Sequence, residues 1–266
     1  MTLTERGEGA HHDMALKIDS KDLAAMGVFT AFVAAATMAV SIFVAATGGY
    51  FNVGETMVYT TALLMGPIVG GFAGGVGSML ADVALGYGVF APATLVIKGL
   101  EGFIVGYLAR YRLRPSSKMS LASLSLAAGA ILAFTIWWGG TSNFTGSLEF
   151  TLGVAPNTIT LAFIIPAFFW VALAIASFIL VAAVGLYLDP QVGWVVLAII
   201  LGGGEMILGY YIYESLIFGP VVALAEILVN VGQVTIGLLV AIPLSRSIRR
   251  IMPRARRLQA ESVEAK

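Results

Sequence analysis

The sequence predicts an all-α, polytopic integral membrane protein, a helical bundle of about eight spans. Three observations carry that expectation. Of 266 residues, 59% are hydrophobic and 11% charged, with a mean hydropathy of +0.92, whereas a soluble domain carries about a quarter charged residues. The apolar residues fall into eight stretches, most of them close to the ~20 residues that cross the hydrocarbon core. Lysine and arginine are confined to three places: before residue 22, between 110 and 118, and after 245, with Lys98 the one exception inside an apolar stretch. With eight spans and a cytoplasmic N-terminus, all but Lys98 fall on the cytoplasmic side, as the positive-inside bias requires, and the C-terminus is cytoplasmic too.

Residues 22–46 form the first span. Ala24, Ala31, Ala35 and Ala39 recur along it at helical spacing. Lipid tails are as apolar as leucine side chains, so membrane helices associate through close packing of small residues. This alanine face packs either within the chain or against a partner. Two glycines then break the chain in GGYFNVGE, where Tyr50 and Phe51 suit the membrane interface. A short apolar helix over 56–65 stops at Gly66-Pro67. In the helix over 68–85, Gly71, Gly75, Ser78 and Asp82 share one stripe, which places Asp82 at a packed interface rather than in lipid. After Gly86-Tyr87-Gly88, Pro92 opens a fourth helix where its missing N–H is harmless. Lys98 and Glu101 stand three residues apart there; they pair with each other or both face a pocket.

A basic loop, Arg110–Lys118, leads to a span over 119–138 ending in Trp137-Trp138, an interfacial signature. A polar loop follows, then a span over 158–187 with Pro166 near its start, a turn at Asp189-Pro190, a span over 193–213 and a last span over 219–244. The N-terminal tail has no apolar run beside its charges and does not read as a cleaved signal peptide. His11 and His12, the two histidines, lie in that tail and read as solvated. Cysteine is absent, which excludes disulfides and thiolate metal sites.

Polar groups inside apolar stretches are costly unless they pair or line a cavity. The chain has such a set towards the outer side: Asn52, Glu55, Tyr87, Lys98, Glu101, Tyr210, Glu214 and Asn230. Glu226, Asn230 and Gln233 stand at i, i+4 and i+7 and so share one helix face. Glu205 lies about 180° around its helix from Glu214, so both do not line one pocket directly. Amides and carboxylates with aromatic rings suit a small, flat, polar heterocycle held in an apolar cavity. The alternative is a structural hydrogen-bond network among helices.

GGYFNVGE, GPIVGGFAGGVGSMLAD, APATLVIKGLEG and the later GGGEMILGYYIYESLIFGPVVALAEILVNVGQVTIG resemble the S components of energy-coupling factor (ECF) vitamin transporters. The resemblance is to the riboflavin-type or hydroxymethylpyrimidine/pyridoxine-type branch, over residues 22–112 and 193–250. It implies a six-helix core, four helices from 22–112 and two from 193–245, with 113–192 an inserted two-helix hairpin. Cytoplasmic tails, 1–21 and 246–266, flank it. It further implies a prokaryotic cell-membrane protein that captures a water-soluble vitamin or precursor with high affinity. Uptake would then need a T component, docked on an AxxxA element that Ala31, Ala35 and Ala39 fit, and two ATPase subunits. No cofactor and no nucleic-acid partner are expected, the net charge being zero. Enzyme signatures are missing: there is no nucleophile elbow and no histidine-based metal pattern, and Lys98 lacks the phosphate-cradling glycines of a Walker motif. The competing class is a stand-alone secondary transporter or channel with Lys98, Glu101 and Asp82 as an ion relay. The lack of inverted-repeat symmetry stands against it.

Overall fold

A computed structural model of the chain describes residues 20–44, 47–110, 117–143, 145–154, 157–188 and 190–251. Most of the two tails, the interior of the 110–118 loop, His11, His12 and Asp189 lie outside these. In chain order the elements are α1 (Ser20–Ala39), β1 (Ser41–Val44), β2 (Gly49–Asn52), α2 (Glu55–Met65), α3 (Pro67–Leu85), α4 (Ala91–Arg110), α5 (Lys118–Asn143), β3 (Gly146–Val154), β4 (Asn157–Ile165), α6 (Ala167–Tyr187), α7 (Pro190–Phe218) and α8 (Pro220–Ile251). Seven of these helices are long and apolar enough to cross a membrane. The protein is a polytopic helical membrane bundle.

Successive helices alternate in direction, and cross-links between α4 and α7 show it. Trp194, at the start of α7, donates to the Leu108 carbonyl near the end of α4 at 2.6 Å, while Tyr213 near the end of α7 donates to the Val89 carbonyl just before α4. Lys21, Arg110, Lys118, Arg249 and Arg250 consequently gather at one end, called here the basic end. The β1–β2 and β3–β4 hairpins lie at the other.

The expected first span, 22–46, stops at Ala39. Ser41–Val44 pairs antiparallel with Gly49–Asn52 instead, in the register Ser41↔Asn52 to Val44↔Gly49. Gly48, at φ 71°, makes the turn; glycine takes this left-handed conformation without steric cost. The chain thereby folds back before α2 begins. With 11 residues, α2 is about 16 Å long, half the hydrocarbon thickness. Its C-terminal carbonyls lie at the basic end, where Met65 accepts from Arg110 at 3.2 Å and Leu63 accepts from Arg249. Its N-terminal Glu55 contacts Lys98, about 18 Å up α4 from Arg110. So α2 fills the basic half of one crossing and the hairpin completes it. The short apolar stretch over 56–65 is therefore not a span by itself. Non-helical backbone at such depth is tolerated where protein buries it, and β2 is largely buried.

Two further expectations are corrected. The start of the polar loop continues α5 to Asn143, and its later part with the first part of the 158–187 stretch forms the β3–β4 hairpin, Gly146↔Ile165 to Val154↔Asn157. The sixth helix starts only at Ala167, because Pro166, in an extended conformation, caps it. The last two helices also run longer than their apolar runs: α7 reaches Phe218, where Gly219 at φ 92° breaks the chain, and α8 continues through Pro243 to Ile251.

Glycines set the tightest seam, between α3 and α4. A Cβ on Gly75 would lie 2.4 Å from the Leu95 carbonyl oxygen, and one on Gly102 would lie 2.4 Å from that of Gly70. Around α2 in the basic half, Val33, Val58, Tyr59, Leu63, Val105 and Ile199 form an apolar core. Leu121, Val181, Trp194 and Leu197 form a separate cluster that joins the α5–α6 pair to α7. The hairpin half, above the first core, is where the polar side chains meet.

Candidate functional site

Beneath the β1–β2 hairpin lies a cleft with about 440 Å³ of empty space, counting its open mouth. Six elements wall it. α1 contributes Thr37; β2 contributes Gly49, Tyr50 and Asn52; α3 contributes Ser78 and Asp82. From α4 come Thr94 and Lys98, with Phe90 just before the helix. α7 adds Tyr210 and Glu214, and α8 adds Glu226, Asn230 and Gln233. The i, i+4, i+7 spacing on α8 and the i, i+4 spacing on α7 and α4 aim these side chains to one side.

The hairpin is fastened over the cleft by polar contacts to two helices. Tyr50 donates to Asp82 Oδ1 at 2.6 Å, and Thr47 donates to Glu226 Oε1. The Asn52 amide donates to Gln233 Oε1 at 3.3 Å, and Gln233 in turn donates to Asn230 Oδ1 at 2.7 Å. Tyr87 stacks on Tyr50, ring centroids 4.3 Å apart. Thr94 and Tyr210 share a hydrogen bond of 2.8 Å across the α4–α7 interface.

The floor is an ion cluster. Lys98 contacts Glu55 and lies 3.3 Å from Glu101 Oε2, and Glu101 Oε1 accepts from Tyr59 at 2.6 Å. Its ammonium stands 5.6 Å from the Tyr210 ring centroid. All four polar residues of this cluster are buried. Of the eight residues singled out from sequence, Asn52, Lys98, Tyr210, Glu214 and Asn230 line the cleft. Glu55 and Glu101 lie beneath it, reaching it only through Lys98, and Tyr87 backs the wall from behind Tyr50. Glu205 does not line the cleft, consistent with its opposite helix face. Sequence reasoning did not bring Thr37, Tyr50, Tyr59, Thr94 or Phe90 into the set. Hydroxyls and rings in apolar runs carry little signal until a partner from another helix is known. Among the described residues no cluster of acidic or histidine side chains is arranged to hold a metal ion.

The profile of a family described as ECF-type riboflavin transporter, S component, matches residues 17–184. The chain belongs to that family. The matched residues of this S component run through α5 and most of α6, the pair expected from sequence to be an insertion, and end before α7 and α8. One curated relative, described as an uncharacterized protein in gap 3'region of Pyrococcus woesei, is 57% identical over 74 residues. That alignment covers 28% of this S component and 49% of the relative, so the chain spans about half the length of the curated relative it matches. On α1 the residues expected to dock a partner, Ala31, Ala35 and Ala39, are all exposed, while Val33, Ala34 and Thr37 face the bundle.

Proposed function

We propose that this protein captures a water-soluble vitamin or vitamin precursor, of the riboflavin, pyridoxine or hydroxymethylpyrimidine class, and mediates its uptake as the S component of an ECF-type transporter. The observation that carries the reading is the cleft: six elements of a bundle of this family bring buried amides, carboxylates, hydroxyls and rings to one space. On this reading the basic end is cytoplasmic, the termini with it, and the cleft opens outside. The α1 alanine face is then the docking surface for the T component, and two ATPase subunits supply the energy. Asn52, Lys98, Tyr210, Glu214 and Asn230 contact the substrate, while Glu55, Glu101 and Tyr87 hold those residues in place. The test is to purify the protein from cells fed a vitamin mixture and identify the small molecule that co-purifies by mass spectrometry. Recovery of a vitamin or precursor in stoichiometric amount is expected; uptake into vesicles that carry the chain without any ATPase would instead favour a stand-alone transporter.

A further inference from the structure

The cleft is strongly acidic, and its acids are not all satisfied. Its described wall carries three carboxylic acids, Asp82, Glu214 and Glu226, and a single cation, Lys98. That cation is already engaged from below by Glu55 and Glu101. Asp82 and Glu214 are 4% and 2% exposed, and Asp82 Oδ2 and Glu214 Oε2 have no hydrogen-bond partner in the described structure. A buried carboxylate oxygen left unpaired is destabilising, the more so at membrane depth. These two acids come from different helices, α3 and α7, and line the same space. Several nearby donors are committed elsewhere: Tyr50 to Asp82 Oδ1, Thr47 to Glu226 Oε1, Thr37 to the Val33 carbonyl, Gln233 to Asn230. The same wall presents the rings of Tyr50, Phe90 and Tyr210, and aromatic faces attract cations.

On the reading of this cleft as the substrate site, we propose that it selects a heteroaromatic ligand bearing a positive charge or an amidine-like row of N–H donors, in preference to a neutral flavin. Donors on one edge of the ring satisfy Asp82 and Glu214, and the ring face lies against the aromatic wall. A neutral ring rich in carbonyl acceptors would leave both carboxylates unpaired.

The test is calorimetric titration of the purified protein with three probes: thiamine, 4-amino-5-hydroxymethyl-2-methylpyrimidine and riboflavin. At least one of the first two is expected to bind ten-fold or more tightly than riboflavin. Asp82→Asn and Glu214→Gln, which keep the side-chain shape and the Tyr50 contact, should weaken that probe at least ten-fold more than they weaken riboflavin. Riboflavin binding as tightly as the other two, or equal losses for all three, overturns the charge selection and leaves the uptake reading standing. Failure of all three probes to bind, with a non-vitamin solute co-purifying, overturns both. The comparison of probes on the unmodified protein stands even where a variant does not fold.

Discussion

Lys98 illustrates how a residue's role depends on partners far away in the chain. From the sequence, Glu101 three residues on was its evident partner. The structure adds Glu55, 43 positions away, so one ammonium answers two buried carboxylates. Removing one member of a buried charge cluster strands the rest, at about 3–5 kcal/mol. Lys98→Met should therefore lower the melting temperature in detergent markedly. The triple change Lys98→Met, Glu55→Gln, Glu101→Gln should restore the folded yield but not ligand binding. Melting curves with a titration on each variant check this; full stability of the single variant would mean that Lys98 is not charged in the bundle. At Asn230 the expectation is the reverse. Its amide bonds only Gln233 and faces the cleft, so Asn230→Ala should leave the melting temperature within a few degrees. It should weaken binding of the co-purified ligand about ten-fold, the loss of roughly one buried hydrogen bond.

At the scale of the element, the α3–α4 seam turns on glycine. Helices in lipid gain their association from close contact, and here backbone meets backbone. Gly75→Ala would place its Cβ 2.4 Å from a carbonyl oxygen, so the two helices must separate, and the cleft that spans them widens. The expected result is a lowered melting temperature together with weakened binding. Gly88→Ala, where a Cβ meets nothing within 4 Å, is the matched control and should behave as the unmodified protein. Helix positions along this seam were readable because a stripe of small residues at 100° per residue has few other uses. The strands were not readable. Ser41–Val44 is an apolar, β-favouring run joined to an apolar helix, and hydropathy does not distinguish the two states. What decided it was the antiparallel partner across Gly48.

For the whole molecule, the proposed orientation makes a direct prediction. Ser117 and Ser142 stand exposed at opposite ends of α5. Cysteines introduced there should label from opposite sides of the membrane, Ser117→Cys from the cytoplasm and Ser142→Cys from outside. Labelling of both from outside would refute the arrangement. Assembly is tested on α1. Ala35 is exposed, so Ala35→Trp should leave folding and ligand binding unchanged, while in vesicles containing the T component and both ATPases it should abolish uptake. Uptake at the normal rate would show that this face docks nothing.

The sequence by itself determined the membrane class, placed the long helices while counting the short 56–65 stretch as an eighth span, and showed the gathering of basic residues at one end. These depend on local composition and length, which the bilayer converts directly into structure. It also singled out the buried charged and amide residues, because such a group in an apolar run stands out without any knowledge of its partners, as a hydroxyl does not. Which of them meet was decided only in three dimensions. Glu55 to Lys98, Tyr50 to Asp82 and Thr47 to Glu226 join residues 43, 32 and 179 positions apart. The fold-back of the β1–β2 hairpin over α2 creates these meetings. That fold-back is held by contacts to α3 and α8, and no local run of the chain encodes such contacts.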